Sequence, residues 1–309
     1  MVVPTHRRPA MLEGALRSAL AQTLTDLEVV VCVDGEDPEG VRVARSFEDP
    51  RLRVLADGTA RGEALNTLRG IEGSTSPYFA VLHDDDEWEP EMLARLVPPL
   101  QADPALAVAF GDHWLMGPDG DVLARESEEN SRRYGRDRLD PGAHRPFHRL
   151  TLVQQAVPAV MTSVFRRSAV RFDDLARELP ANFDYWLAWL AARSGGGAHY
   201  VPRRLSRYRV HAGQGTCTAR PSWARAEVAM MTRLLSEPGL QDLRPELARR
   251  LAAAHRQDAL HRHRAGEPRA WRGALRSLRA RPSAKGVAAL GLTCLPPPVL
   301  ERVGRALSR

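Results

Sequence analysis

Residues Leu27–Gly35 read LEVVVCVDG, the stretch of this sequence that does most to decide its fold. The almost continuous run of β-branched residues predicts a strand buried on both faces, because a strand with one wet face alternates apolar and polar residues. Asp34 and Gly35 end the strand in a turn. Strands of this kind belong to parallel sheets that helices cover, so the stretch predicts an α/β protein.

The segments on either side of this strand alternate between short apolar runs and amphipathic helices. Strands are predicted at Met1–Pro4, Leu52–Leu55 and Tyr78–Leu82, and helices around Leu12–Leu20, over Arg61–Ile71 and from Pro90 onward. This order predicts a Rossmann-like, mostly parallel sheet with helices on both faces.

The middle of the chain offers weaker patterns. Ala107–Phe110 is a predicted strand, and a hairpin is predicted around residues 114–124. Residues 126–148 are polar and rich in Arg, Pro and Gly, which predicts a long mobile segment. Beyond it we expect a helix over Tyr185–Ala192 and extended structure over Tyr200–Val210.

The composition changes near Pro221. Residues 1–221 are predicted to form the α/β domain. Residues 222–309 are rich in Ala, Leu and Arg at helical spacing and are predicted to form a helical C-terminal region. The dense basic residues at 255–264 and the nearby Trp271 leave open a different class of function, attachment to an anionic membrane surface.

The composition, cysteine count and net charge of the whole chain limit the classes of protein to which it can belong. The 309 residues are 43% apolar and 27% charged, as in proteins that fold in water. No apolar run is long enough to cross a bilayer, and no signal peptide is recognisable. The three cysteines form no metal or redox pattern. We therefore predict a cytoplasmic protein. The net charge of +6 is almost wholly arginine in an alanine-rich sequence. We attribute it to compositional bias and predict no nucleic-acid partner.

Residues 81–88 read VLHDDDEW and place three carboxylates in a row at the end of a predicted strand. Like charges this close repel one another and raise each other's pKa. A hard divalent cation relieves that repulsion, and open α/β sheets bind ligands at the carboxyl ends of their strands. The pattern favours a Mg²⁺ or Mn²⁺ site within Asp84–Asp86. The alternative is a solvated turn that caps the helix after Pro90.

Asp34 offers another carboxylate at the same edge of the predicted sheet. It could accept a hydrogen bond from a nucleotide base or ribose, or it could simply form the turn with Gly35. Its position alone does not decide between the two roles.

Four motifs follow one another in a fixed order: PTHRRP at 4–9, AQT at 21–23, HDDDEW at 83–88 and YRVH at 208–211. Together with the strand at 29–35, this set resembles the family 2 glycosyltransferases of GT-A fold over residues 1 to about 215. The resemblance implies inverting transfer of a sugar from a nucleotide-diphosphate donor, UDP- or dTDP-sugar, with Mn²⁺ or Mg²⁺. The implied acceptor is a glycan or a lipid-linked molecule, which would bring the chain into peripheral contact with the inner membrane.

The same resemblance implies a set of residues that bind the nucleotide-sugar: Pro4, Thr5, Arg8, Asp34, Arg61 and Asp84. Pro4 and Thr5 would line the nucleotide pocket, and Asp34 would contact the base. Asp84 would lie near the ribose and the diphosphate. Arg61 would supply a displaced phosphate contact, because the family's Arg-Asn pair survives here only as Leu65-Asn66.

The metal ligands implied by the resemblance are Asp85, Asp86 and His211, with Asp85 at the place of the last aspartate of the family's D-x-D turn. The chain departs from the family at two of these motifs. His83 replaces the first aspartate of D-x-D, and Glu36 follows Asp34-Gly35 where the family has serine.

The general base is not fixed by the resemblance. Alignment on the Trp-Leu pair of the later helix puts Asn182 at the family's base position, and an amide cannot accept a proton at neutral pH. We predict Asp184 as the base, with Asp173 and Asp174 as alternatives, although Asp184 could instead cap the helix. Without a base, the chain would be a weak or inactive relative that binds a sugar nucleotide or glycan without turnover.

Overall fold

The computed structural model describes residues 1–172, 182–211 and 221–295. By its internal contacts the chain divides into two compact units, Met1–Cys217 and Thr218–Arg309. The described part of the first unit holds the strands, and the described part of the second is built from helices.

Three parallel strands open the first unit: β1 (Val2–Thr5), β2 (Val29–Val33) and β3 (Leu52–Leu55), with β2 in the centre. All five residues of β2 are buried, as its unbroken apolar sequence predicts. On the other side of β1, Val81 extends the sheet through a parallel bridge to Val2. The carboxyl ends of these segments therefore meet at one edge of the sheet.

Helices pack on this sheet: α1 (Pro9–Leu20), α2 (Pro38–Arg45) and α3 (Glu63–Glu72). The first two begin with proline, which suits the first turn of a helix. The third lies very close to the strands, because a Cβ added at Gly70 would stand 2.5 Å from side-chain atoms of both β1 and β2. A larger side chain at this position would push α3 away from the sheet.

A second sheet has the strand order β4–β8–β6–β9–β5, and β7 pairs with β9. Its strands are β4 (Tyr78–Phe79), β5 (Glu87–Trp88), β6 (Leu106–Met116), β7 (Gly142–His144), β8 (Ser163–Arg166) and β9 (Gly197–Arg209). The long strands β6 and β9 run parallel, and the other pairs are antiparallel. The helices of this half are α4 (Met92–Ala102), α5 (Ala124–Arg133), α6 (His148–Leu152) and α7 (Phe183–Arg193).

The predicted α/β class is confirmed, with parallel strands, helices on both sides and helices at the C-terminal end. The strand predicted at Ala107–Phe110 is longer than expected and continues as β6 to Met116. The predicted hairpin follows directly from it as a single antiparallel bridge between Met116 and Val122.

Residues 126–148 form regular structure and are not the mobile segment that their polar composition predicts. They include most of α5, a 3₁₀ turn at Arg136–Arg138, and β7. Nε of Arg136 lies 2.6 Å from Oδ1 of Asp112 in β6, and the Ser131 hydroxyl donates to Oδ2 of the same carboxylate. All three side chains are buried, so a polar network inside the fold fixes the segment.

The second unit contains α8 (Pro221–Ser236), α9 (Arg244–Arg264), α10 (Trp271–Ala280) and α11 (Ala284–Thr293). Small residues let the last three pack closely, with Ala259, Ala274 and Ala289 in a common core. The Ser277 hydroxyl of α10 donates to the carbonyl of Ala252 in α9 at 2.7 Å. Among the helices of the described ranges, none combines the length and apolarity needed to cross a bilayer.

Candidate functional site

The acidic turn His83–Asp86 follows the Val81 segment, which pairs with β1 at the edge of the first sheet. The backbone of Leu82 still bonds to β1, since its N–H donates to the carbonyl of Val2 at 3.0 Å. Directly after it the chain turns, and the N–H of Asp86 donates to the carbonyl of His83 at 3.2 Å. The predicted position of these acids, at the carboxyl ends of parallel strands, is therefore the position that the fold gives them.

Asp84 connects the turn to the end of β1. The Thr5 hydroxyl donates to Oδ2 of Asp84 at 2.8 Å, and the N–H of His6 lies 3.4 Å from the same oxygen. Burial raises the pKa of the Asp84 carboxyl group, the charge of Asp85 raises it further, and the contact with Thr5 acts in the opposite direction. Asp84 is thus a buried acid whose hydrogen bonds fix its orientation.

Arg8 spans two carboxylates of the turn. Its Nη1 lies 3.3 Å from Oδ1 of Asp84 and 2.8 Å from Oδ2 of Asp85. The guanidinium is partly exposed, whereas both carboxylates are buried. A positive group with solvent on one side and two acids on the other is suited to contact an anionic ligand at the sheet edge.

Three side chains of the turn converge as donors for a cation. One ligand atom from each of His83, Asp85 and Asp86 lies within 4.8 Å of the others. Oδ1 of Asp86 accepts the N–H of Arg209 at 2.9 Å, but Oδ2 is buried and has no hydrogen-bond partner within the described part of the chain. Burial, followed by the charge of Asp85, raises the pKa of Asp86 well above its ordinary value. A divalent cation fits this donor set, because it would supply the partner that the Asp86 oxygen lacks.

His83 carries a positive charge into the same group. Its Nε2 lies 3.1 Å from Oε1 of Glu63 in α3. Burial alone would lower the pKa of the imidazole, but the negative charges of Glu63, Asp86 and Asp85 outweigh it and raise the pKa to about 10. Imidazole binds a metal only in its neutral form, so a metal held by His83 would displace this proton.

The end of β9 reaches the turn from the second sheet. Nε2 of His211 lies 3.2 Å from Oδ2 of Asp85. Arg209 donates from Nε to the Asp85 carbonyl at 2.9 Å and from Nη2 to Oε1 of Glu87 at 3.0 Å. The structure thus brings His211 to Asp85, as the sequence-based assignment requires.

Asp34 lies at the end of β2 and anchors the loop before α3. Its Oδ1 accepts the N–H of Arg61 at 2.6 Å, and its Oδ2 accepts the N–H of Gly62 at 3.0 Å. Gly62 has φ of 79°, a value that glycine adopts without strain. The carbonyl of Asp34 lies 2.8 Å from Nδ1 of His6, which links the ends of β1 and β2. Its carboxylate therefore has a structural role besides the predicted contact with a base.

Asp184 lies in the first turn of α7, two residues after Asn182, which precedes the helix. Its side chain reaches solvent, yet the surrounding protein reduces its hydration and raises the pKa of the carboxyl group. The backbone N–H of Tyr185 lowers that pKa, Glu63 raises it, and His83 lowers it. Asp184 thus interacts with the charges around the acidic turn and also contacts the helix backbone, as a capping residue does.

The other predicted site residues are placed as follows. Pro4 is buried in β1, directly before Thr5. The guanidinium of Arg61 pairs with Asp57 at 2.7 Å, so the side chain proposed for a phosphate is held by a neighbouring carboxylate. The alternative bases, Asp173 and Asp174, lie outside the described residues.

Sequence reasoning missed His83 as a cation donor and Glu63 as its partner. The replacement of aspartate by His83 was visible, and imidazole is itself a common metal ligand, so the signal was present. Glu63 gave no signal, because its pairing with His83 depends on how α3 packs against the sheet. Arg209 lies within the YRVH motif, and its contacts with the acidic turn are not evident from the motif alone.

Comparisons with known proteins agree with this architecture. A family model described as "Glycosyl transferase family 2" matches residues 1–159. An uncharacterized glycosyltransferase of Rickettsia prowazekii is 26% identical over 224 residues, which cover 71% of this chain and 66% of that protein. The chain thus spans just under two thirds of that relative's length.

Two solved structures show the same fold. Staphylococcus aureus TarS 1–349 in complex with UDP-GlcNAc superposes with a TM-score of 0.64 at 12% identity, covering 94% of this chain and 89% of that one. The mannosyltransferase PcManGT from Pyrobaculum calidifontis, in complex with GDP-Man and Mn²⁺, superposes with a TM-score of 0.57 at 19% identity. The superposition covers 99% of this chain and 79% of that one. At these identities the likeness shows the fold alone.

Proposed function

The chain belongs to glycosyl transferase family 2, and we propose that it is a glycosyltransferase that transfers a sugar from a nucleoside-diphosphate donor with inversion at the anomeric carbon. The observation that carries the proposal is the convergence of His83, Asp85 and Asp86, with a buried and unpartnered oxygen of Asp86 among the described residues. This group lies at the sheet edge where the ends of β1 and β2 meet.

The donor we propose is a UDP- or dTDP-sugar, bound along that edge. Thr5 and Asp34 end the first two strands, and Asp84 is held between Thr5 and Arg8. Pro4 and Arg61 complete the set of residues proposed to bind the donor. Support for a donor of this class comes from TarS, whose structure holds UDP-GlcNAc, and from PcManGT, whose structure holds GDP-Man.

Asp85 and Asp86 would hold a divalent cation, Mn²⁺ or Mg²⁺, with His83 or His211 as the nitrogen ligand. When bound, such an ion supplies Lewis-acid neutralisation of the diphosphate that leaves. The Mn²⁺ in the PcManGT structure supports this class of cofactor.

The residues of this chain would share the remaining work of the transfer. Arg8, partly exposed beside the acids, would contact the diphosphate as negative charge develops on the departing oxygen. Asp184 would accept the proton of the acceptor hydroxyl while that oxygen bonds to the anomeric carbon and the bond from that carbon to the diphosphate breaks. General-base help of this kind contributes roughly 10²–10⁴-fold in rate.

The proposed domain assignment places this chemistry in residues 1–221 and leaves residues 222–309 as a helical region.

The acceptor we propose is a glycan or a lipid-linked molecule. A lipid-linked acceptor would be met at the cytoplasmic side of the inner membrane, and peripheral contact with that membrane is part of the proposal.

A thermal-shift screen of UDP-, dTDP- and GDP-sugars, each with and without Mn²⁺, tests the proposal, because a ligand that binds only the folded state raises its stability. We expect stabilisation by a nucleotide-sugar to require Mn²⁺ and to disappear in Asp85→Ala. Release of nucleoside diphosphate from the same donor then tests turnover. Mn²⁺-independent stabilisation would contradict the metal assignment, and binding without turnover would identify an inactive relative.

A further inference from the structure

Positive charge is concentrated in the stretch that holds α10 and α11. Residues 268–295 contain no carboxylate and six basic side chains, namely Arg269, Arg272, Arg276, Arg279, Arg281 and Lys285. The whole chain is much closer to balance, with 44 Lys and Arg against 38 Asp and Glu. This segment therefore differs from the rest of the chain in a way that overall composition does not explain.

Three of these arginines form a stripe on the outer side of α10. Arg272, Arg276 and Arg279 follow one another at helical spacing, so they project from the same side, and all three are exposed. The opposite side is buried at Ala274 and Ser277, where the Ser277 hydroxyl bonds to α9. The stripe therefore faces away from the core of the second unit.

The outer face of α11 is apolar. The residues exposed on this face are Ala284, Val287, Ala288 and Gly291, followed by Leu295 two residues beyond the helix, and the exposed Lys285 flanks them. Val287 is 62% exposed, and Leu295 is 38% exposed. The opposite face is buried at Gly286, Ala289 and Thr293. A surface helix ordinarily turns its polar side outward, so α11 has an unusual solvent face.

The basic stripe and the apolar face belong to adjacent helices. A Cβ added at Gly286 of α11 would lie 2.6 Å from Cδ2 of Leu278 in α10. Trp271, at the start of α10, is 40% exposed, and the guanidinium of Arg272 lies 5.7 Å from its ring centre. A pair of packed helices that exposes basic residues on one member and apolar residues on the other, with an exposed aromatic residue, has the composition of helices that lie in a membrane interface.

We propose that α10 and α11 bind peripherally to an anionic phospholipid surface. The arginine stripe contacts the headgroup phosphates, and Val287 and Leu295 enter the boundary between headgroups and acyl chains. Binding of this kind needs no spanning helix. This surface is the one that would make the membrane contact named in the proposed function, and because the binding involves the second unit alone, it can succeed or fail independently of the proposed sugar transfer.

A lipid surface fits these features better than a second copy of the chain or a nucleic acid. Ala284, Ala288 and Gly291 are small, so this face offers little of the area, about 800 Å² per partner, that a stable interface buries. A two-fold symmetric dimer through this surface would also bring like-charged arginine stripes together. A nucleic acid would use the arginines but would leave the apolar face in water.

The basic residues at 255–264 on α9, which the sequence suggested for membrane contact, do not extend this surface. His263 is buried, and Nε of Arg262 pairs with Oε2 of Glu267 at 2.8 Å. Arg264 is exposed, and Arg262 is partly exposed but has its charge paired with Glu267. The candidate surface therefore lies on α10 and α11.

Sedimentation of the full chain with phospholipid vesicles tests the inference. Vesicles of phosphatidylcholine with one third phosphatidylglycerol are compared with pure phosphatidylcholine, at physiological and at high salt. We expect binding to the anionic vesicles alone, weakened by salt. The triple variant Arg272→Gln, Arg276→Gln, Arg279→Gln should bind about a hundredfold more weakly, since each basic residue near such a surface contributes a factor of about five.

A matched set of variants separates the effect of where the arginines lie from the effect of the net charge of the chain. Arg17→Gln, Arg42→Gln and Arg125→Gln together remove the same charge from exposed sites in the first unit and should change binding by less than about twofold. Val287→Ser should weaken binding about fivefold without lowering the melting temperature, because the side chain is already exposed. Replacing the three α10 arginines by lysine should retain binding.

Three results would overturn the inference. The chain could bind neutral vesicles as well as anionic ones, the two triple-glutamine variants could lose vesicle binding equally, or neither variant could lose it. A dimer in light scattering that Val287→Ser dissociates would assign the face to a second copy of the chain. Release of nucleoside diphosphate from the donor in solution should be the same in all these variants, so failure of membrane binding and failure of the enzymatic proposal remain distinguishable.

Discussion

Arg8 and His211 approach the same oxygen of Asp85. Nη1 of Arg8 lies 2.8 Å from Oδ2 of Asp85, and Nε2 of His211 lies 3.2 Å from it. The Asp85 carboxylate is also one that the proposed function gives to a divalent cation. A cation bound there would compete with the Arg8 guanidinium for the carboxylate, and the released guanidinium would be free to contact a diphosphate.

Arg8→Gln should therefore change affinity in two opposite directions. Without nucleotide, Mn²⁺ should bind about tenfold more tightly, because one charge-assisted competitor is removed from Asp85. UDP should bind about tenfold more weakly in the presence of Mn²⁺, because a phosphate contact is lost. Titration calorimetry measures both, with Arg42→Gln, an exposed arginine on α2, as the control. A variant that weakens or leaves unchanged the binding of Mn²⁺ would contradict the competition.

Asp86→Asn should stabilise the protein while removing its response to metal. The Asp86 carboxylate is buried beside Asp85, and both burial and that neighbouring charge disfavour its ionised form. An uncharged amide avoids that cost, so the free energy of unfolding should rise by about 1 kcal/mol. Thermal unfolding with and without Mn²⁺ measures both effects. Glu39→Gln, an exposed carboxylate on α2, should keep the Mn²⁺ response, and an Asp86→Asn protein that keeps it would exclude Asp86 as a ligand.

Asp184 should set the acid side of the pH–rate profile if it is the base. A base acts in its ionised form, and the pKa of Asp184 lies above the ordinary aspartate value. The rate should therefore decline on acidification at a higher pH than an ordinary aspartate would cause. Asp184→Asn should lower kcat by roughly 10²–10⁴-fold and leave the donor affinity unchanged. A weaker donor affinity with an unaltered rate of turnover would favour the helix-capping role instead.

Arg136→Ala should destabilise the first unit by about 3 kcal/mol, because it leaves the buried Asp112 carboxylate without its main partner. Burial acts to raise the pKa of Asp112, but Arg136 and Ser131 outweigh it and hold the pKa below its usual value. The stabilisation is therefore present above roughly pH 4 and is lost as the pH falls through the folded-state pKa. Urea unfolding at several pH values measures this dependence.

The control for that experiment is Arg125→Ala, which breaks the exposed pair between Arg125 and Glu129 on the same helix. It should cost less than about 1 kcal/mol at any of these pH values. Equal losses in the two variants would show that the buried network does not determine the stability of residues 126–148.

The sequence predicted the part of the fold that depends on local pattern. The apolar run of β2 indicated burial on both faces, and in a parallel sheet this alone brings the ends of neighbouring strands together. The pattern therefore predicts the acidic turn at the same sheet edge as Asp34, and the family resemblance adds Thr5 to that edge.

What the sequence did not predict depends on partners distant along the chain. Arg136 reaches Asp112 and His83 reaches Glu63, and neither spacing has a helical or strand period. Polar residues that satisfy one another inside a fold have the same composition as residues that face water. For this reason the polar composition of residues 126–148 predicts a mobile segment, whereas the segment forms regular structure.

The guanidinium of Arg209 donates to the Asp85 carbonyl, to the Pro118 carbonyl at 2.9 Å and to Glu87, and so joins the end of β9 to the acidic turn and to the loop after β6. A lysine keeps the charge but cannot reach three acceptors in different directions from one planar group. The effect of a conservative substitution at this position would therefore resemble the loss of a cofactor ligand, although the Arg209 side chain contacts backbone carbonyls and a neighbouring acid. Surveys of natural variants that score only ligand-contacting positions would overlook it.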